Sequence, residues 1–486
     1  MKGLIEYLKE NLILEVDDLE FYKELLEIAR KDKYRYHMPG HKGKKEIFGD
    51  FGENLLSIDF TEVEGTDNLH NPKTIIKSLQ KRLSNIYHTK KSYILINGST
   101  VGLQSAILSQ SMPKDKVIIQ RDCHKAVYNS LVLGDLNPEY IWTDYNKELH
   151  IKEPIDVEKF RNIIKKHRAK LVVVTYPTYY GICSDIEKIA EISHENNALL
   201  IVDEAHGAHL KFSKKLPKGA EDLGADIVVQ SLHKTLPAFT QTSALHVCSD
   251  RVDVGSLESF LKMLQSSSPS YILMSSVDIA LDYMMKKGIK NLDNILEEIR
   301  FLKKDKEDIF ISKEKIEDAF KCRYDESKLL INLYKKGFTG SETEKILRDH
   351  YGIYTELWDI VYDLAYVSPC DSLDDIRHIF DSVSEITCNE KTKEYQSLEF
   401  HVYKPKKEVS LREAFYSEKI KIDIEDCENR ISGDFIIPYP PGIPIICPGE
   451  IIIEKHVKYL KKLIRENIEI LGIEENCISI LKGKDD

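Results

Sequence analysis

The chain has 486 residues, with 69 Lys and Arg against 80 Asp and Glu for a formal net charge of -11 at pH 7, and nine cysteines. That length can bury a large core and divide into two or three domains. The acidic balance argues against nucleic acid or an anionic membrane as the main partner and suits an enzyme that attracts cations. No window approaches about 18 uninterrupted apolar residues, so no membrane span is expected. The opening Met1-Lys2-Gly3-Leu4 carries no signal-peptide block. The cysteines lie singly with no CxxC pair, which reads as free thiols in a reducing cytosol.

Residues 1–30 read as amphipathic helix, with Leu4, Tyr7 and Leu8 on one face and then Phe21, Leu25 and Ile28 on another. From about 90 to 250, short β-rich runs alternate with helical stretches. The runs are Tyr93–Ile96, Val117–Ile119, Leu171–Val174, Leu199–Val202, Ile227–Val229 and Ala244–Val247, and 185–192 has helical spacing. Repeated βα units predict an α/β fold with a mostly parallel sheet and helices on both faces. After Asp278 a charged helical stretch over roughly 279–307 reads as a connector. The remainder is predicted to be a smaller α+β region ending in a helix that aligns Ile453, Val457, Leu460, Ile464 and Ile468. The expected division is an N-terminal helical arm over 1–35, a large domain over 36–307 and a C-terminal domain over 308–486. The apolar, proline-rich 438–444 reads as a structured loop near a site.

Two of the runs deliver reactive groups. Leu199 to Val202 leads into Asp203-Glu204-Ala205-His206, and Ile227 to Val229 leads into Ser231-Leu232-His233-Lys234. Parallel sheets bind ligands at the carboxyl ends of their strands. A lysine amine that can form an imine and a carboxylate that can hold a pyridine nitrogen protonated are the two groups a pyridoxal phosphate site requires. Desolvation would lower the Lys234 amine toward a nucleophilic range. Asn97-Gly98-Ser99-Thr100 opens a helix after another run and can cradle a phosphate. His124 follows the next run and is placed to stack on a cofactor ring. Asp203-Glu204-Ala205-His206 also spells a helicase box, but Gly40-His41-Lys42-Gly43-Lys44-Lys45 lacks phosphate-loop spacing. His206 and His209 lack metalloprotease spacing, so no metal is expected.

Together these segments resemble the pyridoxal-phosphate-dependent ornithine/lysine/arginine decarboxylases of the aminotransferase-like fold. The resemblance runs from His37-Met38-Pro39-Gly40-His41-Lys42-Gly43 through 61–70, the cradle, Cys123-His124-Lys125, Asp203–His209, Gln230–Pro237 and Ser266–Tyr271 to Pro438–Glu450. It implies a fold type I large domain with a smaller C-terminal α+β domain. It also implies that Lys234 bonds the cofactor aldehyde, Asp203 pairs with the pyridine nitrogen, and His124 and Ala205 flank the ring. Ser99, Thr100, Ser231 and His233 would bind the phosphate, with Ser267 reaching it from a neighbouring subunit, and Glu356 would meet the substrate's distal cation. Because the Met-Pro-Gly motif begins at residue 38, the N-terminal wing domain of longer members, and with it their ring assembly, is expected to be absent. The short form most resembles biosynthetic arginine decarboxylases.

The resemblance therefore implies a cytoplasmic homodimer, or a multiple of one, that makes agmatine from arginine in polyamine biosynthesis, with lysine or ornithine as alternatives. Lys234 or His233 would return the proton to Cα. An aminotransferase on the same fold would break the Cα–H bond instead, and a silent cofactor-binding module would normally have lost Lys234 or Asp203. Ser432-Gly433-Asp434 and the Ile360-Val361 that follow Asp359 depart from the family pattern, near the expected substrate pocket.

Overall fold

Every apolar run predicted to be a strand enters one seven-stranded sheet. Its members are β1 (Lys91–Leu95), β2 (Lys116–Gln120), β3 (Asn137–Ile141), β4 (Leu171–Thr175), β5 (Leu199–Asp203), β6 (Ile227–Gln230) and β7 (Ser243–Val247). The computed structural model describes residues 20–387, 404–439, 443–465 and 468–483. The spatial order is β1-β7-β6-β5-β4-β2-β3. β7 alone runs antiparallel to both its neighbours, and the other pairings are parallel.

The side chains of the central strands alternate between two cores, as the period of two demands. Val172, Val174, Leu200, Val202 and Val228 pack on one face with Leu83, Phe160, Ile164 and Ile189. Leu171, Val173, Ile201, Ile227 and Val229 pack on the other with Val101, Leu103, Ala126 and Val127. Both faces of the sheet are thus covered, which is why its strands read as continuous apolar runs. The helix Ile186–Glu195 starts where Asp185 accepts the Lys188 N–H at 3.1 Å.

Beyond the sheet, β8 (Lys328–Ile331), β9 (Leu357–Trp358) and β10 (Asp363–Tyr366) form a second, antiparallel sheet in the order β8-β10-β9. Strands Lys419–Asp423, Ile473–Glu474 and Cys477–Leu481 form a third. Among the described residues no helix is long and apolar enough to cross a membrane.

Three expectations need correction or bounding. The connector starts at Tyr271, not 279. It runs Tyr271–Tyr283, passes through a π turn at Met284–Gly288 and continues Ile289–Lys303. Its first part buries Tyr271, Met274, Val277, Ala280 and Leu281, so charge patterning could not reveal it. The helix Glu454–Arg465 begins after Ile453 and stops before Ile468, and strands follow it. Gly472, between the strands Glu469–Leu471 and Ile473–Glu474, stands at φ +91°, where a Cβ would lie 2.2 Å from the Phe435 carbonyl. Of the N-terminal arm, Glu20–Lys31 is helix and residues 1–19 lie outside the described residues.

Candidate active site

The site is built where neighbouring strands end. In register, Asp203 faces Val229 of β6 and Thr175 of β4. Asp203 shares the parity of Ile201 and so points toward the face where the helices Gly98–Ser109 and Lys125–Gly134 begin. Glu204 turns the other way, toward Gln230 Nε2 at 2.9 Å and the Ala220 N–H at 3.1 Å.

Asp203 is 3% exposed, and Oδ1 accepts the Ala205 N–H at 3.2 Å. Burial pushes its carboxyl up, and Lys234 pulls it back down. The Lys234 amine is pushed down by burial and raised by Asp203 and Glu356. The amine thus feels both carboxylates. Among the described residues the one hydrogen bond of the Lys234 amine is to His206 Nε2, at 2.9 Å.

His206 is the side chain beside the amine that sequence reasoning passed over. Its Nδ1 lies 3.1 Å from the Tyr366 hydroxyl, which also reaches the Tyr179 carbonyl at 3.1 Å. A carbonyl only accepts, so the Tyr366 O–H donates to Tyr179 and its oxygen receives the His206 Nδ1–H. His206 Nε2 is then a lone pair facing the Lys234 amine. Burial drives His206 well below the ordinary histidine value, and Lys234 and Lys328 push it the same way. The Tyr179 ring packs 4.4 Å from the imidazole. The signal in the sequence was a histidine three residues after the strand-end aspartate, read only as a potential metal ligand. His209, its neighbour in that reading, bonds Ser327 and Asp325 instead.

The other expected residues are placed as follows. His124 caps the helix Lys125–Gly134 by accepting the Ala126 N–H at Nδ1, 3.2 Å away, which fixes the ring plane. Burial, then Lys234 and Lys125, push it down to about 4. Ser231 donates to Ser99 Oγ at 2.9 Å, so the Ser99 hydroxyl hydrogen remains available to an anion beside the open helix N-terminus. Gly98 stands at φ +74° with no atom near where a Cβ would sit, and Thr100 is exposed. His233 Nδ1 donates to the Thr242 carbonyl at 2.8 Å, and burial pushes the imidazole down to about 4. Ala205 is buried and Ser267 exposed, with the Ser266 N–H on Asn97 Oδ1 at 3.1 Å.

The Met38-Pro39-Gly40 segment packs against the His233-Lys234 turn from far off in the sequence. The Gly40 N–H donates to the His233 carbonyl at 2.7 Å, and a Cβ on Gly40 would lie 2.6 Å from the Leu236 carbonyl oxygen. Glycine is the residue that permits this approach. The Met38 N–H donates to Glu356 Oε2 at 2.8 Å. Glu356 is raised by burial, against the pull of that N–H, Lys234, Lys42 and His37.

Of the two departures from the family pattern, Ile360-Val361 turns back on Asp359, which accepts the Val361 and Tyr362 N–H groups and the Tyr180 hydroxyl at 2.5 Å. Asp434 pairs with Lys419, and the Gly433 N–H bonds Ser479, both within the C-terminal sheet. Pro440, Pro441 and Gly442 of the proline-rich loop lie outside the described residues, but Pro444 and Ile445 accept from Arg121 at 3.1 Å.

This geometry fits pyridoxal phosphate. One partly buried amine lies near a buried carboxylate, and a hydroxyl-lined helix N-terminus opens beside them. Comparisons with known proteins give the family. Residues 20–326 match the Orn/Lys/Arg decarboxylase major domain and residues 389–478 its C-terminal domain. The chain belongs to this family. The arginine decarboxylase of Bacillus subtilis (strain 168) is 32% identical over 475 residues, 95% of this chain and 96% of that protein. The arginine decarboxylase of Bacillus anthracis is 30% identical over 473 residues, 95% and 96% of the two chains. The solved lysine decarboxylase A from Pseudomonas aeruginosa shares the fold at TM-score 0.77 and 20% identity, covering 95% of this chain and 80% of that one. Family membership makes the chain a decarboxylase of the Orn/Lys/Arg class.

Proposed function

We propose that the chain decarboxylates a basic L-amino acid, arginine before lysine or ornithine, releasing CO2 and agmatine from arginine, with pyridoxal 5'-phosphate as cofactor. The observation that carries this reading is the Lys234 amine, held 2.9 Å from His206 Nε2 three residues beyond the strand-end Asp203, with the Asp203 and Glu356 carboxylates acting on it electrostatically. Pyridoxal phosphate, when bound, supplies the electron sink for the pair left at Cα when CO2 departs.

The chain's own residues do the rest. Lys234 is the amine placed to bond the cofactor aldehyde, and Asp203 the carboxylate placed to keep the pyridine nitrogen protonated. Ser99, Thr100, Ser231 and the first N–H groups of Gly98–Ser109 would hold the phosphate, and the capped His124 ring would lie along the cofactor on the face opposite Ala205. His233, expected beside them, has its one N–H on the Thr242 carbonyl and none to give a phosphate. His233 has its Nδ1–H committed to Thr242 and is neutral at pH 7, so Lys234 is the better-placed source of the proton that returns to Cα. Glu356, anchored by the Met38 N–H, would pair with the guanidinium or ammonium at the substrate's far end.

Exposed Ser267 would serve the site of a second subunit, making the working unit a homodimer. An enzyme of this kind belongs in the cytoplasm at the entry to polyamine synthesis. Incubation with arginine, lysine and ornithine followed by chromatography of the amines tests the reading. Agmatine formation with CO2 release is expected, and product from neutral or acidic amino acids alone would refute it. Glu356→Gln should raise KM for arginine roughly ten- to hundredfold, the equivalent of one charge-assisted hydrogen bond at about 1.5–3 kcal/mol, and leave an uncharged analogue unaffected.

A further inference from the structure

Lys328 is a fully buried lysine to which the reaction described above gives no role. It stands on β8, and among the described residues its ammonium has no hydrogen-bond partner. Asp325 Oδ2 lies 3.4 Å away. The other oxygen of that carboxylate is already taken by the Ser327 N–H and hydroxyl and lies 3.3 Å from His209 Nε2. The ammonium sits 4.1 Å from the centroid of the Tyr366 ring. That ring's hydroxyl receives His206 Nδ1–H, and His206 Nε2 receives the Lys234 amine. The Lys328–Asp325 pair is thus a dipole with its positive end toward the Tyr366–His206–Lys234 chain. A buried charge without hydrogen bonds is costly to keep, and its position beside this chain gives it a use.

We propose that Lys328 is a positioning residue for Lys234, acting through Tyr366 and His206: its charge over the Tyr366 ring opposes a second proton on the His206 imidazole, so that Nε2 stays a lone pair turned to the Lys234 nitrogen. This rests on the decarboxylase reading of the site.

Of the groups facing the relay, Glu356, Tyr179, Asp325 and Tyr180 bear on Tyr366. His206 meets Lys234, Lys328, His124 and His233, all of which disfavour its protonation. Lys234 meets Asp203 and Glu356, which favour its charged form, and Lys328, which opposes it. Lys42, fixed on the His37 and Tyr366 carbonyls at 2.8 and 2.9 Å, is a further cation near Lys328. Lys328 is therefore the cation that bears on both His206 and Lys234 while touching neither.

The test is a spectrophotometric pH titration of the cofactor-loaded protein, which follows protonation of the Lys234 nitrogen without turnover. Lys328→Met should move the midpoint upward by about one pH unit, and Lys328→Arg should hold it near the wild-type value. Tyr366→Phe keeps the ring under Lys328 but removes the acceptor for His206 Nδ1–H. It frees the imidazole to turn a donor toward Lys234 and should move the midpoint downward. That variant keeps the proposal testable if Lys328→Met does not fold. A midpoint unchanged in Lys328→Met, or unchanged in Tyr366→Phe, overturns the proposal. The titration reads the Lys234 nitrogen whichever amino acid is the substrate, so a wrong substrate and a wrong role for Lys328 give different failures.

Discussion

Arg121 should be the most sensitive structural residue near the site. It leaves the end of β2 three residues before His124 and reaches into the C-terminal region. Nη2 meets Glu450 Oε2 at 3.0 Å, and Nη1 donates to the Pro444 carbonyl and to the Tyr128 hydroxyl, the latter at 2.6 Å. The side chains of Arg121 and Glu450 are 5% and 3% exposed. The guanidinium also lies 5.2 to 5.6 Å from the rings of Tyr128, Tyr140 and Trp142. Removing one partner of such a pair leaves the other charge buried with little compensation, a cost of about 3–5 kcal/mol. Arg121→Met leaves the Glu450 carboxylate with the Cys447 N–H at 2.7 Å. Glu450→Gln leaves the Arg121 cation with carbonyls and rings. The double variant leaves no charge behind, so its loss should be well below the sum of the two single losses. The protein has two tryptophans, Trp142 and Trp358, so a Trp358→Phe background makes Trp142 emission a local reporter of the clamp. Urea unfolding followed by that emission, with all four members of the cycle, measures the coupling. Single losses that simply add would refute a charge-based clamp.

Three further outcomes follow from the site. Lys234→Ala should retain the cofactor through its phosphate contacts but lose borohydride fixation, and fixation that survives in this variant, seen by mass spectrometry, would refute the assignment. Asp203→Asn should bind the cofactor yet lose turnover by on the order of 10²-fold or more, because an amide cannot keep the pyridine nitrogen protonated; a kcat near wild type would place Asp203 elsewhere. Behind the sheet, Glu204 and Glu221 form a buried carboxyl pair. Burial raises Glu221 from 4.5 to about 7 and Glu204 further, with Lys211 3.7 Å from Glu221. The folded protein therefore binds more protons than the unfolded chain above about pH 4.5, so this pair costs stability as the pH climbs through about 7. Glu221→Gln should flatten that loss in thermal melts between pH 5 and 8, and an unchanged slope would count against the pair.

The sequence by itself determined the sheet and which side chains stand at the ends of its strands. Apolar runs with period-two burial on both faces are local signals, and four of them deliver the group they would present: Asp203 ending β5, Lys234 after β6, the Gly98–Thr100 helix start after β1 and His124 after β2. Motif spacing also carried the family. Local signals failed where burial hid charge patterning, as in Tyr271–Tyr283, and where an apolar stripe ran on past a helix into a strand, as over Glu469–Leu471. Tertiary structure alone decided what surrounds the amine. The Met38 N–H reaches Glu356 across 318 residues, Tyr366 reaches His206 across 160, and Arg121 reaches Glu450 across 329. No propensity or period encodes such pairs, because a side chain's hydrogen-bond partner is set by which distant strand end packs beside it. His206 could be named from the sequence, but its lone pair was turned to Lys234 only when β10 delivered Tyr366 to its other nitrogen.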